Sequence, residues 1–350
     1  MKKVINDSDF KNELKRICRE KGIQLYVPIS KMGNFYISNC SDDNLDFTLS
    51  SIRTVEPVKS LFFLVNDEIL PNDKEISYRV IVGVKQCDLK AISVLDTMYI
   101  NEYEDTLYSR YRKNTLIISS DCPYPQQTCF CTIVGGKPYV DHSNKISDIN
   151  ISFIDDNNLI LESFSTKGND FLREYFDNYE SPTKNDELKR DSVRNIAEKK
   201  VYNFNAEYLN DDNKAKYYKT LKSTYEIEEV WKKESEKCVQ CGGCNFVCPS
   251  CYCFLIREAS ESYQKQYRDK VWDVCHFTGY SRVAGGANPR KYKFQRFRNR
   301  YQCKFVYRYE NFGYYACTGC GRCIDVCPAK IDIRKVIRNL LLAKGEQVLV

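Results

Sequence analysis

The chain has 350 residues, 43% hydrophobic and 29% charged, with a formal net charge of +6. That is enough for two domains with a buried core, ordinary for a globular protein, and a charge that permits an acidic partner without demanding one. His142 and His276 are the only histidines, which excludes a Ser–His–Asp set and any chemistry needing several imidazoles. No apolar stretch of signal-peptide length opens the chain, and no run approaches the roughly 18 apolar residues of a membrane span. A cytoplasmic location is therefore expected. The 18 cysteines are then metal ligands rather than a disulfide framework, because the cytosol keeps thiols reduced.

Residues 1–165 read as mixed α/β. Ser8 or Asp7 caps an expected helix over 9–20, with Phe10, Leu14, Ile17 and Cys18 on one face. Buried strands are expected at Leu61–Val65, Val80–Val84, Leu116–Ile118 and Ile151–Ile154, each a short apolar run bounded by turn residues. Asp155 to Asn158 reads as a hairpin turn. Residues 166–237 are more charged and are broken by Pro182. They read as helices and a connecting arm, with Tyr225, Ile227, Val230, Trp231 and Glu234 on a helix that feeds the next segment. From 238 the composition shifts to dense Cys, Gly and basic residues. The expected fold is α+β: an N-terminal α/β domain over 1–225, then a mostly helical, ferredoxin-like dicluster domain over 226–350.

One internal repeat carries the chemistry. Cys238-Val-Gln-Cys241-Gly-Gly-Cys244-Asn-Phe-Val-Cys248-Pro249 recurs as Cys317-Thr-Gly-Cys320-Gly-Arg-Cys323-Ile-Asp-Val-Cys327-Pro328. In the C-x2-C-x2-C-x3-C-P pattern one tight loop supplies three thiolates to a [4Fe–4S] cube, and the fourth Cys serves the other cube. One cluster then takes Cys238, Cys241, Cys244 and Cys327; the other takes Cys317, Cys320, Cys323 and Cys248. Glycines 242, 243, 319 and 321 are expected to let the backbone pass close to the cubes. Structural zinc is the alternative, but its C-x2-C pairs are usually separated by a longer loop.

Cys87, Cys122, Cys129 and Cys131 sit at expected strand ends or in one Pro-rich loop. They are candidates for a third [4Fe–4S] site, with Asp88 as a substitute for one thiolate if a cysteine points away; ordinary semi-buried thiols or zinc are the alternatives. Cys251, Cys253, Cys275 and Cys303 read as packing thiols beside the cubes, with another metal site as the alternative. Cys18 and Cys40 read as incidental. Residues 282–308 hold nine basic side chains, no acidic one, and interleaved aromatics. Such a strip suits a nucleic-acid surface, or else it stabilises a reduced, negatively charged cube or docks an acidic redox partner. The electrostatic reading is preferred, given two adjacent clusters. No G-x-G-x-x-G after a strand and no Walker loop is present, so no catalytic residue is assigned.

Taken together, these residues resemble a known family. Its marks here are Gly83-Val-Lys-Gln-Cys87-Asp88-Leu-Lys-Ala-Ile92, Cys122 with Cys129-Phe-Cys131, and Cys248-Pro-Ser-Cys251-Tyr-Cys253-Phe254. They continue with Trp272-Asp-Val-Cys275, Ala284-Gly-Gly-Ala-Asn288, Arg296-Phe-Arg-Asn-Arg300-Tyr, Phe312-Gly313 and both cysteine runs. The chain resembles the iron–sulfur electron-transfer subunits of two kinds of complex, sulfhydrogenase-type cytoplasmic [NiFe] hydrogenases (their beta subunit) and anaerobic sulfite reductases. Cys303 departs from the pattern, where histidine is expected in many relatives. The resemblance implies a non-catalytic electron-transfer subunit. It would work between a partner that binds FAD and NAD(P)H and a catalytic subunit with siroheme or a [NiFe] centre. Two readings of other classes remain: an iron–sulfur redox sensor binding nucleic acid through 282–308, and a subunit with its own flavin.

Overall fold

The computed structural model describes residues 1–40, 46–70, 75–208, 215–262 and 265–347. Its strands are β1 (Lys2–Asn6), β2 (Gln24–Lys31), β3 (Asn34–Asn39), β4 (Asn66–Leu70), β5 (Arg79–Val84), β6 (Thr115–Ser120), β7 (Ile149–Phe153), β8 (Asn158–Ser163), β9 (Phe254–Ser262) and β10 (Lys265–Trp272). The helices of the first half are α1 (Asp7–Glu20), α2 (Gln86–Asp96), α3 (Thr106–Lys113), α4 (Thr166–Phe176) and α5 (Lys184–Phe204). Those of the second half are α6 (Ala215–Ser223), α7 (Glu228–Ser235), α8 (Gly243–Phe246), α9 (Lys293–Gln302), α10 (Arg308–Phe312), α11 (Arg322–Asp325) and α12 (Ile333–Gln347).

Seven strands form one mixed sheet in the order β1-β8-β7-β6-β5-β2-β3. Its centre, β2-β5-β6-β7, is parallel. β6 is buried along its whole length, as a strand covered on both faces must be. On one face α1 and α4 bring Phe10, Leu14, Ile17, Phe171 and Phe176 against Val80, Val82, Leu116 and Ile118. On the other, α2 and α3 bring Leu89, Ile92, Leu95, Leu107 and Tyr108 against Ile81 and Ile117. The carboxyl ends of β5 and β6 lead straight to Cys87 and Cys122, the place where open α/β sheets hold ligands.

The buried face of α1 is the expected one. Its cap is Asn6, whose side chain accepts from the Ser8 amide at 3.0 Å, so the helix starts two residues early. The 155–158 turn forms as expected, with the Asp155 carboxylate accepting from the amides of Asn157 and Asn158 at 2.9 Å each. The strand expected at Leu61–Val65 is not one. A 3-10 turn over Val58–Leu61 runs into a bend in which the Phe62 and Phe63 amides both donate to the Lys59 carbonyl, at 2.9 and 2.7 Å. The backbone is satisfied locally while both rings are buried, and a short apolar run does not distinguish that from a strand.

The second half is helical apart from the antiparallel hairpin β9–β10, which the sequence did not announce. β4, from the first half, adds to its edge. Trp231 of α7 is fully buried and donates its indole N–H to the Thr224 carbonyl at 2.8 Å. Phe297 and Tyr301 of α9 pack against it, and the same core includes Phe294 of α9 and Phe130, Ile133 and Val134 from the first half. The loop holding Cys129 and Cys131 thus shares its core with the helices of the dicluster segment.

Candidate metal centres

Each cysteine run closes into one left-handed turn and one short helix. α8 follows Gly242 and α11 follows Gly321, both at positive φ. Cys238, Cys241, Cys244 and Cys327 line one cavity, so the last Cys of the second run lies against the first run. In return, Cys248 is a near charged neighbour of both Cys317 and Cys323, which also feel Cys320. The last cysteine of each run thus lies near thiols of the other run, although Cys323 also lines the first cavity and Cys248 is also a neighbour of Cys244.

The third candidate set has a cavity of its own at the carboxyl ends of β5 and β6, lined by Cys87, Cys122, Cys129 and Cys131. Cys320 and Gly319 of the second run form part of its wall. The contact is tight: the Phe130 amide donates to the Gly319 carbonyl at 2.8 Å. Gly319, at φ +67°, has no room for a side chain, since a Cβ there would lie 2.5 Å from the Cys131 backbone. Gly321 faces the Thr128 carbonyl in the same way, at 2.4 Å. These two glycines therefore admit the loop from the first half, in addition to shaping their own run.

Asp88 is committed elsewhere. Its carboxylate pairs with Arg322 at 2.8 Å, and both side chains are 2% exposed, so it holds the second run against α2. Arg53 reinforces the same seam, donating to the Cys320 carbonyl and to Asp325. Lys85, 2% exposed, donates to the carbonyls of Leu49 and Asp121 and to the Ser120 hydroxyl.

Among the described residues no three or more His, Cys, Asp or Glu side chains converge tightly enough to hold a single metal ion. The thiols of the first and third sets ring cavities instead, which fits a cubane and not a zinc ion bound at about 2.3 Å by each sulfur. Burial pushes the bare thiols of Cys122 and Cys323 up to about 12 and that of Cys317 up to about 11. Buried cations offset the charge that ligation would create. Burial opposes the charge on Arg300, but the thiols of Cys244, Cys323 and Cys248 outweigh it and hold the guanidinium protonated. His276 lines the first cavity; burial and Arg300 push it down to about 3, so it is a neutral imidazole.

The basic strip is divided: Arg282 and Lys291 are exposed and Arg290, Lys293 and Arg308 half-buried, while the other four basic side chains lie inside. Arg296, Arg298, Arg300 and Lys304 are all buried. Arg296 donates to the carbonyls of His276 and Lys291 at 3.0 and 2.7 Å. The Arg298 guanidinium stacks 3.8 Å above the Tyr225 ring. Phe294, Phe297, Tyr301 and Phe305 are core residues. The guanidinium groups of Arg296 and Arg298 are thus spent on internal carbonyls and rings and are not available to phosphates. The cysteine spacing pointed to the thiols of the two runs, and the expected strand ends and the Pro-rich loop pointed to Cys87, Cys122, Cys129 and Cys131. Neither pointed to the cations. Lys85 stands two residues before Cys87 and Arg322 inside the second run, where position alone was a signal, whereas nothing near Arg53 or Lys59 announced them.

These cavities define an iron–sulfur protein, and the family described as 4Fe-4S dicluster domain matches residues 237–331. Over 340 residues the chain is 31% identical to sulfhydrogenase 2 subunit beta of Pyrococcus furiosus, a match covering 94% of each chain. The chain belongs to this family of hydrogenase beta-type iron–sulfur subunits, and its role is electron transfer through [4Fe–4S] clusters. Among the described residues no helix is long and apolar enough to cross a membrane.

Proposed function

We propose that this chain relays electrons inside a multisubunit oxidoreductase, between a partner that binds FAD and NAD(P)H and a catalytic subunit. The Pyrococcus relative is a sulfhydrogenase component, which favours a [NiFe] hydrogenase as the catalytic partner over a siroheme sulfite reductase. The proposed ligand sets are Cys238, Cys241, Cys244 and Cys327; Cys317, Cys320, Cys323 and Cys248; and Cys87, Cys122, Cys129 and Cys131. In domain terms, residues 1–225 would hold the third set and 226–350 the other two.

The observation that carries this reading is the shared wall at Cys320, which lies in the second run and also lines the third cavity. Adjacent ligand sets keep the distance between redox groups short. When bound, [4Fe–4S] groups supply one-electron chemistry. The protein holds them with thiolates, excludes water with Phe130, Tyr301 and Trp231, and neutralises their charge with Lys85, Arg300 and Arg322.

The test is iron and sulfide analysis of anaerobically reconstituted full-length protein. Cys241→Ser, Cys320→Ser and Cys122→Ser should each remove about four iron atoms. Stoichiometric zinc in place of iron would sink the assignment. Copurification from the native host, followed by identification of the bound subunits, decides between a hydrogenase and a sulfite reductase.

A further inference from the structure

Four cysteines remain near the dicluster segment, and the fold gathers them. The hairpin β9–β10 begins at Phe254, which pairs with Trp272 at its far end. Cys251 and Cys253 therefore enter the open end of the hairpin just where Cys275 leaves it. The Asp273 amide donates to the Cys253 carbonyl at 3.0 Å, which extends the pairing one step further. The thiols of Cys253 and Cys275 are hydrogen-bonded to each other. Cys275 also accepts from the Asn245 side-chain amide at 3.2 Å. Cys303 lies beside both Cys253 and Cys275. It opens the π-helical turn Cys303–Tyr307 at the end of α9, a distortion that recurs at functional sites. The thiol of Cys251 is hydrogen-bonded to that of Cys248 in the second ligand set, and Cys251 and Cys253 share Lys59 as a charged neighbour.

Two lysines set the charge of this place. Lys59 and Lys304 are each 3% exposed. Lys59 donates to the Cys251 carbonyl at 2.7 Å and sits 4.1 Å over the Trp272 ring. Lys304 donates to the Ser250 hydroxyl at 2.9 Å. Among the described residues no carboxylate lies within ion-pair distance of either; their charged neighbours are the thiols of Cys248, Cys251, Cys253 and Cys303. A buried cation needs a counter-charge. Cys248 belongs to the second ligand set, and one set alone is a meagre partner for Lys59, Lys304 and Arg300 together.

We propose that Cys251, Cys253, Cys275 and Cys303 ligate a fourth [4Fe–4S] cluster. The pattern repeats that of the third cavity: a C-x-C pair, Cys251-Tyr-Cys253 against Cys129-Phe-Cys131, completed by two thiols from separate elements. It leaves only Cys18 and Cys40 of the 18 cysteines without a cluster. The site also has an opening. Cys253 and Cys303 lie at the base of a cleft of about 980 Å³ walled by Tyr99, Tyr103, Tyr252, Tyr280, Tyr307 and Arg308. The other three ligand sets are not part of that cleft, so the fourth cluster gives electrons a separate way to the surface.

The inference rests on the iron–sulfur reading, and its test separates the two. Full-length protein and the double variant Cys253→Ser/Cys303→Ser are reconstituted anaerobically, and iron is counted. The variant should hold about four fewer iron atoms than the parent; an unchanged count overturns the inference and leaves the other three sets standing. A parent holding no iron overturns the broader reading. Thiol alkylation of the unmutated holoprotein, read by mass spectrometry, needs no variant to fold. Cys253 and Cys303 line a cleft, so their free thiols are within reach of the reagent. They should stay unlabelled until iron is chelated, and rapid labelling in iron-replete protein overturns the proposal.

Discussion

Arg300 touches no carboxylate among the described residues, and its charge is held by Cys244, Cys323 and Cys248. It therefore works on whichever oxidation state carries more negative charge. Arg300→Met should lower the reduction potential of the neighbouring cluster, because the reduced form loses a cation. For a buried charge about 6 Å away the drop is on the order of 100 mV at an effective dielectric of about 20. An EPR-monitored redox titration reads it, and added salt should barely alter it, since the pair is screened little. The thiols make a second prediction. Burial raises Cys122 and Cys323 to about 12, so iron must displace protons, and reconstitution should strengthen as pH rises from about 7 to about 9. In the iron-free chain the sign is opposite. Unfolded thiols ionise near 9.0 while folded ones stay neutral, so stability is intact below about pH 9 and is lost as pH rises toward about 12. Thermal unfolding of apoprotein against pH checks that direction.

The parts that could be read from sequence were those whose pattern is local. The spacing inside each cysteine run, the apolar face of α1 and the apolar strands β5 and β6 each declare themselves within a short stretch of chain. What escaped depends on partners far along the chain. Leu61–Val65 looks like a strand until the Lys59 carbonyl captures two of its amides. The hairpin β9–β10 carries charges such as Arg257 and Asp269, which pair with each other, so its strands lack the apolar alternation that reveals a half-buried sheet. Glycines 319 and 321 looked like spacers for a cube, yet their closest neighbours belong to the 128–131 loop. Gly319→Ala tests that view: a positive φ and a backbone clash together should cost about 2–3 kcal/mol. Iron at the third set should fall while iron at the first set is kept, and the 122–131 loop should become a site of proteolysis.

Across the whole molecule the two halves are locked by a buried ion pair rather than by a linker. Arg322 and Asp88 lie 234 residues apart in sequence and 2.8 Å apart in space. Arg322→Met leaves Asp88 as an uncompensated buried charge and should cost about 3–5 kcal/mol. The double variant Asp88→Asn/Arg322→Met should recover much of that loss. Anaerobic thermal unfolding of both variants measures the difference, and equal destabilisation in the two would mean that the pair carries no coupling.

The seam between the Cys129–Cys131 loop and Gly319 also orders events during synthesis. The thiols of the third cavity emerge from the ribosome long before the residues that complete its wall. At about 5–20 residues per second, the interval between Cys131 and Gly319 lasts roughly ten to forty seconds. Throughout it, Cys87, Cys122, Cys129 and Cys131 belong to an unfinished pocket whose floor has not been made. A growing chain in an oxidising environment would be exposed longest at the first half's thiols, because Cys238, Cys241 and Cys244 wait only for the shorter stretch to Cys327. On the proposed ligand sets, cluster insertion into the first half would be a late step of maturation, governed by the last third of the gene product.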